Sequence, residues 1–153
     1  MKAKKTSIFF LLLLLIFSGF GRDYIMVNIN WVIKHLTLGA PNYAQEFFNP
    51  LLKWKTSNLL VLKWGLTIVF STYFFFITYN LIRLIFNKSV YLSYTKYAYV
   101  LMVGVSATLY VLSYFIGVLD YLYPAIRTIM GVVQSFIPFM VLFLMFKFIP
   151  KLK

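Results

Sequence analysis

Residues Leu59 to Phe86 form the longest apolar run of the chain and read L-L-V-L-K-W-G-L-T-I-V-F-S-T-Y-F-F-F-I-T-Y-N-L-I-R-L-I-F. The run carries one cation near each end, Lys63 and Arg83, and no acidic residue. A helix needs about 20 apolar residues to cross a ~30 Å hydrocarbon core, and basic side chains near its ends can reach the headgroups. The sequence therefore predicts a transmembrane helix over 59–86, long enough to be tilted.

The composition of the rest of the chain agrees with this prediction. Its 153 residues are 62% hydrophobic and 12% charged, and the mean hydropathy is +0.85, which would leave a soluble domain with too little polar surface. Three further apolar segments lie at 6–21, 97–122 and 126–149. We predict an all-α integral membrane protein with about four transmembrane helices, built as one membrane domain over residues 1–153.

The N-terminal segment has two interpretations. It reads M-K-A-K-K-T-S-I-F-F-L-L-L-L-L-I-F-S-G-F-G, with a basic start, an apolar centre and small residues at the end, which is the layout of a secretory signal peptide. Gly19 and Gly21 match an A-x-A cleavage site poorly, which favours an uncleaved anchor. Residues 6–21 are therefore predicted to be a signal anchor or a signal peptide, with the chain after Gly21 on the far side of the membrane.

The stretch 22–58 is predicted to be an extracytoplasmic loop with an amphipathic segment that lies at the membrane interface between the first and second spans. Apolar residues recur there at helical spacing. Trp31 is placed near a predicted membrane–water interface, where the indole ring can contact lipid while its N–H contacts water. Arg22 and Asp23 follow the first span directly and either mark the water boundary or contact a partner. The apolar positions are Ile25, Ile29, Val32, Ile33 and Leu36.

The segment that joins the last two spans reads D-Y-L-Y-P-A-I-R-T-I-M-G-V-V-Q-S-F-I-P over residues 120–138. A turn at Tyr123 and Pro124 would bring Asp120 and Arg127 together as an ion pair that closes a hairpin. Polar seams on the two spans would then face each other. The seam of the third span is Ser106, Tyr110, Ser113, Gly117 and Asp120, and that of the fourth is Arg127, Gly131, Gln134 and Pro138. The alternative for Asp120 and Arg127 is a proton or substrate site inside the bundle, and Arg127 could also bind an anionic group of a partner.

Gln134 is the polar side chain placed most deeply in the fourth span. It is expected to form an interhelical hydrogen bond, to meet another subunit, or to bond the carbonyl group that a bend at Pro138 would free. The last of these, a local repair of the bend, is favoured. The candidate structural or partner-contact residues are thus Asp120, Arg127, Gln134, Trp31, Arg22 and Asp23.

The distribution of basic residues predicts the topology. Excess Lys and Arg mark the cytoplasmic side of short loops. With both termini in the cytoplasm, nine of the fifteen lie inside and six outside. The inside set is Lys2, Lys4, Lys5, Arg83, Lys88, Lys96, Lys147, Lys151 and Lys153, and the outside set is Arg22, Lys34, Lys53, Lys55, Lys63 and Arg127.

The residues that most enzymes use are scarce. The chain has no cysteine and one histidine, His35, and neither an H-E-x-x-H motif nor a glycine-rich phosphate loop occurs. We therefore predict no catalytic, cofactor-binding or metal-binding residue. The net charge of +12 comes from cations that flank apolar segments, which indicates contact with membrane lipids rather than with nucleic acid.

Three motifs carry a resemblance to a known group of proteins. They are G-R-D-Y-I-M-V-N-I-N-W after the first span, N-Y-A in the outer loop, and R-x-x-M-G-x-x-Q-S-x-x-P in the last span. Their order resembles that of small membrane proteins associated with exosortase systems of Bacteroidota. The resemblance implies a bacterial inner-membrane location and an exosortase-like peptidase as the catalytic partner, and it supplies no catalytic residues.

These observations together predict a noncatalytic accessory or assembly subunit of a bacterial inner-membrane envelope system, and the resemblance narrows this to exosortase-linked protein sorting. The partner would be another integral membrane protein. The alternative is a small transporter or an ion-coupled membrane component. Such a protein usually needs acidic residues or histidine inside the membrane, and only Asp120 comes close to qualifying.

Overall fold

A computed structural model describes the backbone of residues 2–148, while the side chains of Lys2, Ala3 and Asp120 lie outside the described part. Within these residues the chain is all-helical and has no strand, which confirms the all-α part of the predicted fold class. The elements are α1 (Lys2–Leu38), a 3₁₀ helix (Glu46–Lys53), α2 (Thr56–Phe86), α3 (Ser89–Ile116), α4 (Leu119–Val133) and α5 (Ile137–Phe148).

Three of these helices, α1, α2 and α3, are long and apolar enough to cross a membrane. The pair α4 and α5 adds a fourth crossing if it counts as one span, bent by 61° at the break between the two helices. This pair runs from one end of the bundle to the other. It begins beside the end of α3, and it ends with the Phe146 ring stacked on Tyr91 near the start of α3, at 4.4 Å between ring centroids and an interplanar angle of 7°.

The first helix continues well beyond the predicted span. It has 37 residues, about 55 Å at 1.5 Å per residue, and it ends only before Gly39, whose φ of +62° is left-handed. No proline occurs within it, and the buried face stays in helical phase from Leu15 through Met26 to Ile29. The amphipathic segment is therefore helical, but it continues the first span instead of forming a separate element in a loop that starts at residue 22.

The loop after α1 packs back on the second half of that helix. Phe48 of the 3₁₀ helix is buried against Ile29, Val32 and Leu59. The Asn28 Oδ1 atom accepts a hydrogen bond from the Gln45 backbone N–H at 2.7 Å, and its Nδ2 donates to the Tyr24 carbonyl at 2.8 Å. These contacts fix residues 39–53 against α1 and the start of α2.

The third helix starts earlier than predicted. Residues 89–96 were expected in a basic loop before a span at 97, but they form the first turns of α3. The connection is short because Asn87 adopts a left-handed conformation (φ 50°), which ends α2 immediately. Asparagine is one of the few non-glycine residues that tolerate this conformation.

The turn between the third and fourth helices also lies earlier than predicted. Gly117 (φ +78°) ends α3, α4 begins at Leu119, and Pro124 lies inside α4. Asp120 and Arg127 therefore sit on one helix, seven residues or about 10 Å of rise apart. Their predicted position on opposite arms of a hairpin is wrong.

The core lies between α1, α2 and α5, with one aromatic residue from α3. Side chains from both ends of the chain meet there, so the first helix is part of the packed bundle. The buried members are Leu15, Phe74, Ile77, Leu81, Ile82, Tyr91, Phe139, Leu142 and Phe146.

Candidate functional site

The break between α4 and α5 positions Gln134, the largest polar side chain that is fully buried among the described residues. Pro138 has no N–H, and its ring crowds the carbonyl group four residues earlier, that of Gln134, so α4 cannot continue through it. Ser135 bridges the gap: its hydroxyl donates to the Val132 carbonyl at 2.7 Å and accepts from the Ile137 N–H at 3.2 Å. The predicted bend at Pro138 is confirmed.

Gln134 lies at this break with 1% of its surface exposed. Its Nε2 atom donates to the Thr67 carbonyl oxygen and to the Ser71 Oγ of α2, both at 2.8 Å. Its Oε1 atom accepts a hydrogen bond from the Arg22 Nε of α1, also at 2.8 Å. We refer to Arg22, Thr67, Ser71 and Gln134 as the Gln134 cluster, which joins α1 and α2 to the break between α4 and α5.

The geometry corrects the interpretation of Gln134 as a local repair. The amide bonds two other helices instead of the carbonyl group freed by Pro138, so the interhelical alternative is the one observed. An amide both donates and accepts, which suits a position between a cationic donor, Arg22, and the acceptors on α2. Because the side chain is buried within the chain, it is not available to a second protein in this arrangement.

The acceptors on α2 belong to a mildly polar stripe in the sequence, in which Thr67, Ser71 and Thr78 lie close to one helix face with Lys63. This spacing predicts a contact with another helix. In addition to the Thr67 and Ser71 contacts, Lys63 Nζ donates to the Tyr123 hydroxyl of α4 at 2.6 Å. The Thr78 hydroxyl lies 2.9 Å from the Tyr99 hydroxyl of α3. The stripe therefore contacts three other segments, which confirms this prediction.

Arg22 and Asp23 are adjacent in sequence but differ in environment. The Arg22 Nη1 atom lies 2.6 Å from Asp23 Oδ1, while the side chains are 14% and 68% exposed, respectively. Successive residues of a helix point in directions about 100° apart. The Arg22 guanidinium therefore points toward Gln134, and the Asp23 carboxylate points outward. Arg22 thus lies largely in the interior of the bundle. The sequence did not predict Gln134 as its partner.

Arg127 and Trp31, two further candidates, line one groove between α4 and α1. The groove has a volume of about 140 Å³ and is lined by Val27, Asn30, Trp31, Lys34 and Arg127. Lys34 Nζ lies 5.0 Å from the Trp31 ring centroid, a cation–π distance. We refer to these five residues as the α1–α4 groove. The Asp120 side chain, the predicted partner of Arg127, lies outside the described residues.

The predicted pairing of polar seams between the last two spans is only partly right. α3 and α4 do pack along each other. However, Gln134 bonds α1 and α2, and Arg127 lines a groove with α1. On α3, the buried hydroxyl groups of Ser106 and Ser113 donate to carbonyl groups of their own helix. The polar face of the fourth span therefore does not face the α3 seam.

His35 has a local structural contact. Its Nδ1 atom lies 2.7 Å from the Ala40 carbonyl oxygen, across the turn that follows α1. Among the described residues there is no group of three His, Asp or Glu side chains that could hold a metal ion. The polar contacts observed thus join helices and hold turns.

Comparisons with protein-family models, with curated proteins and with solved structures each found no significant match. The resemblance to exosortase-associated membrane proteins therefore stays a prediction from the motifs alone.

Proposed function

We propose that this chain is a noncatalytic accessory or assembly subunit of another integral membrane protein, held in a bacterial inner membrane by four crossings. The proposal takes α4 and α5 together as the fourth crossing, because the pair traverses the bundle from end to end. An even number of crossings places both termini on the same side. The basic-residue distribution makes that side the cytoplasm.

The buried polar groups support a structural role, in which they hold the helices of the subunit together. In the described part of the chain, no buried side-chain nitrogen or oxygen atom lacks a hydrogen-bond partner. The amide of Gln134 bonds groups of the chain itself at both ends. In a membrane, helices are joined by packing and by such interhelical hydrogen bonds, so this cluster is best explained as a device that holds the subunit together.

The observation that carries the partner proposal is the outward face of α1. In the most apolar window of α1 only 6% of the residues are buried, compared with 17% in α3. Phe17 and Phe20 are 68% and 70% exposed there, and the Asp23 carboxylate is 68% exposed at the end of the same helix segment. Acidic side chains in a span or at its end are costly next to lipid and usually pair with polar or charged groups of protein.

The depth of Asp23 indicates which partner group would cover it. The helical rise from Lys5 to Asp23 is about 27 Å, so the carboxylate lies near the far boundary of a ~30 Å hydrocarbon core. Arg22 contacts only one of its oxygen atoms, Oδ1. We infer that a helix of the partner packs on this face of α1 and supplies a basic or amide side chain to the other oxygen.

The narrower form of the proposal names the partner class. Because the motif resemblance points to exosortase systems, the partner would be an exosortase-like peptidase, and the process would be sorting of proteins to the envelope. The motif resemblance supports the identity of the partner. The exposed face of α1 supports the more general proposal that another membrane protein packs against this chain.

Photocrosslinking in native membranes tests the partner proposal. With a photoreactive residue at Phe17 or at Phe20, we expect the same membrane protein to be captured from both positions, and capture to be lost when Asp23 is changed to leucine. A matched control at Leu15, which is 1% exposed on the same helix, should give no such product. Lipid adducts alone from Phe17 and Phe20 would contradict the proposal, and mass spectrometry of the product would test the peptidase identity.

Cysteine labelling tests the topology independently, because the natural chain has no cysteine. We expect a cysteine at Asn42, in the loop after α1, to react with a membrane-impermeant maleimide in spheroplasts. A cysteine at Lys88, in the turn between α2 and α3, should react only after lysis. The reverse pattern would invert the proposed orientation.

The transporter alternative gains no support from the acidic residues. The side chains of Asp23 and Glu46 are both exposed, and that of Asp120 is outside the described part. An ion-coupled path would need acidic or histidine side chains facing the bundle interior.

A further inference from the structure

The α1–α4 groove brings together two cations from distant parts of the sequence. Arg127 from α4 and Lys34 from α1 line the same cavity of about 140 Å³, with the Asn30 amide and the Trp31 ring completing its wall. No acidic side chain of the described residues is part of that lining. Neighbouring like charges repel, so an anion that bridges the two cations would remove an unfavourable interaction.

The acid that lies closest to the groove along α1 is already paired. Asp23 is one helical turn before Val27, and its Oδ1 atom is bonded to Arg22. The groove is therefore a basic site in a chain that has fifteen basic and three acidic residues.

The position of the groove along the helices identifies the class of anion. Trp31 lies about 13 Å of helical rise beyond Arg22, on the same side of the Gln134 cluster as the contact between Lys63 and Tyr123. Counted from Lys5, this level is about 39 Å along α1, roughly 9 Å beyond a ~30 Å hydrocarbon core and less if the helix is tilted, which corresponds to the headgroup layer. Tryptophan prefers this layer, and lysine and arginine side chains near a membrane surface attract anionic headgroups by about 1 kcal/mol each.

We propose that the α1–α4 groove binds the phosphate-bearing headgroup of an anionic membrane lipid. The Arg127 guanidinium donates to the phosphate oxygens from one wall, and the Lys34 ammonium group neutralises the charge from the other. The Asn30 amide provides a further donor, and the Trp31 ring covers the glycerol region. This inference rests on the membrane placement in the proposed function and is independent of the partner on α1.

Lipid binding to the purified full chain provides the test. In native mass spectrometry from detergent micelles, we expect phosphatidylglycerol to bind more tightly than phosphatidylcholine. The double variant Arg127→Gln with Lys34→Gln should weaken phosphatidylglycerol binding about thirtyfold, as expected for the loss of two cations at a headgroup site. Inorganic phosphate at millimolar concentration should fail to displace the lipid, whereas displacement would assign the site to free phosphate instead.

A matched control separates a specific site from general surface charge. The variant Arg83→Gln with Lys88→Gln removes two exposed cations at the opposite end of α2 and lowers the net charge by the same amount. It should leave phosphatidylglycerol binding within about twofold of the natural chain. Equal weakening in both variants, or none in the groove variant, would overturn the proposal. A natural chain that stays monodisperse without detergent would instead contradict the membrane placement.

Discussion

Replacing Gln134 by leucine is expected to lower the free energy of unfolding in micelles by about 2 kcal/mol or more. An average interhelical hydrogen bond in a membrane protein contributes only ~0.6 kcal/mol. However, Gln134 makes three such contacts, and one of them comes from the charged guanidinium of Arg22. Leucine would leave that buried donor unpaired, which costs more than the loss of a neutral pair. Equilibrium unfolding in mixed micelles, followed by circular dichroism, measures the change.

Thr128 supplies the matched control for this variant. It lies on α4, is exposed, and its hydroxyl bonds only the Pro124 carbonyl of its own helix at 2.9 Å. Thr128→Val should therefore change the free energy of unfolding by less than about 0.5 kcal/mol. If Gln134→Leu changed stability as little as this control, the Gln134 cluster would not be holding the bundle together.

Phe74→Ala is expected to destabilise the bundle by roughly 2 to 4 kcal/mol. The Phe74 ring is fully buried in the core between α1, α2 and α5. Large-to-small changes in a core lose contacts and leave a cavity. In a micelle the separated helices are still in an apolar medium, so the transfer contribution is smaller than in water. The loss of packing contacts remains, and it accounts for most of the expected effect.

Phe76→Ala removes the same atoms from the outward face of the same helix. Phe76 is 56% exposed, and in the proposed placement its ring contacts lipid, which can fill the space. The free energy of unfolding should change by less than about 1 kcal/mol. Equal effects of the two substitutions would mean that the core around Phe74 is not packed as described.

The second span is the part of the fold that the sequence predicts best. The predicted range 59–86 differs from the observed Thr56–Phe86 by three residues at one end. The run contains no acidic residue and no proline, and the turn residue Asn87 follows it directly. Both signals are local, so the sequence contains them in full.

The limits of the first span could not be predicted because they depend on distant residues. Arg22 and Asp23 look like a water boundary after an apolar run, and the loop was expected to start there. Instead the helix continues, and Arg22 is accommodated within the bundle by an acceptor on Gln134, 112 residues later. Hydropathy cannot show such a partner, since it scores each polar residue as if it stood alone.

The polar residues of the site could be predicted from the sequence, but the partners that they contact could not. The polar stripe on α2 and the bend at Pro138 were both expected from spacing and from proline chemistry, and both are observed. Asp120 and Arg127 were expected across a turn at Pro124, but the left-handed Gly117 turns the chain earlier. Because α4 begins earlier than predicted, the polar face of the fourth span points toward α1 and α2 instead of α3. Gln134 therefore bonds α1 and α2.

The central claim is that the first helix and the broken fourth crossing are joined through Arg22 and Gln134. A double-mutant cycle tests it most directly, with Arg22→Met, Gln134→Leu and the double variant unfolded under the same micelle conditions. Residues in direct contact couple by about 0.5–3 kcal/mol, and we predict a coupling of about 1 kcal/mol or more for this pair. Additive effects of the two substitutions, with a coupling near zero, would contradict the claim.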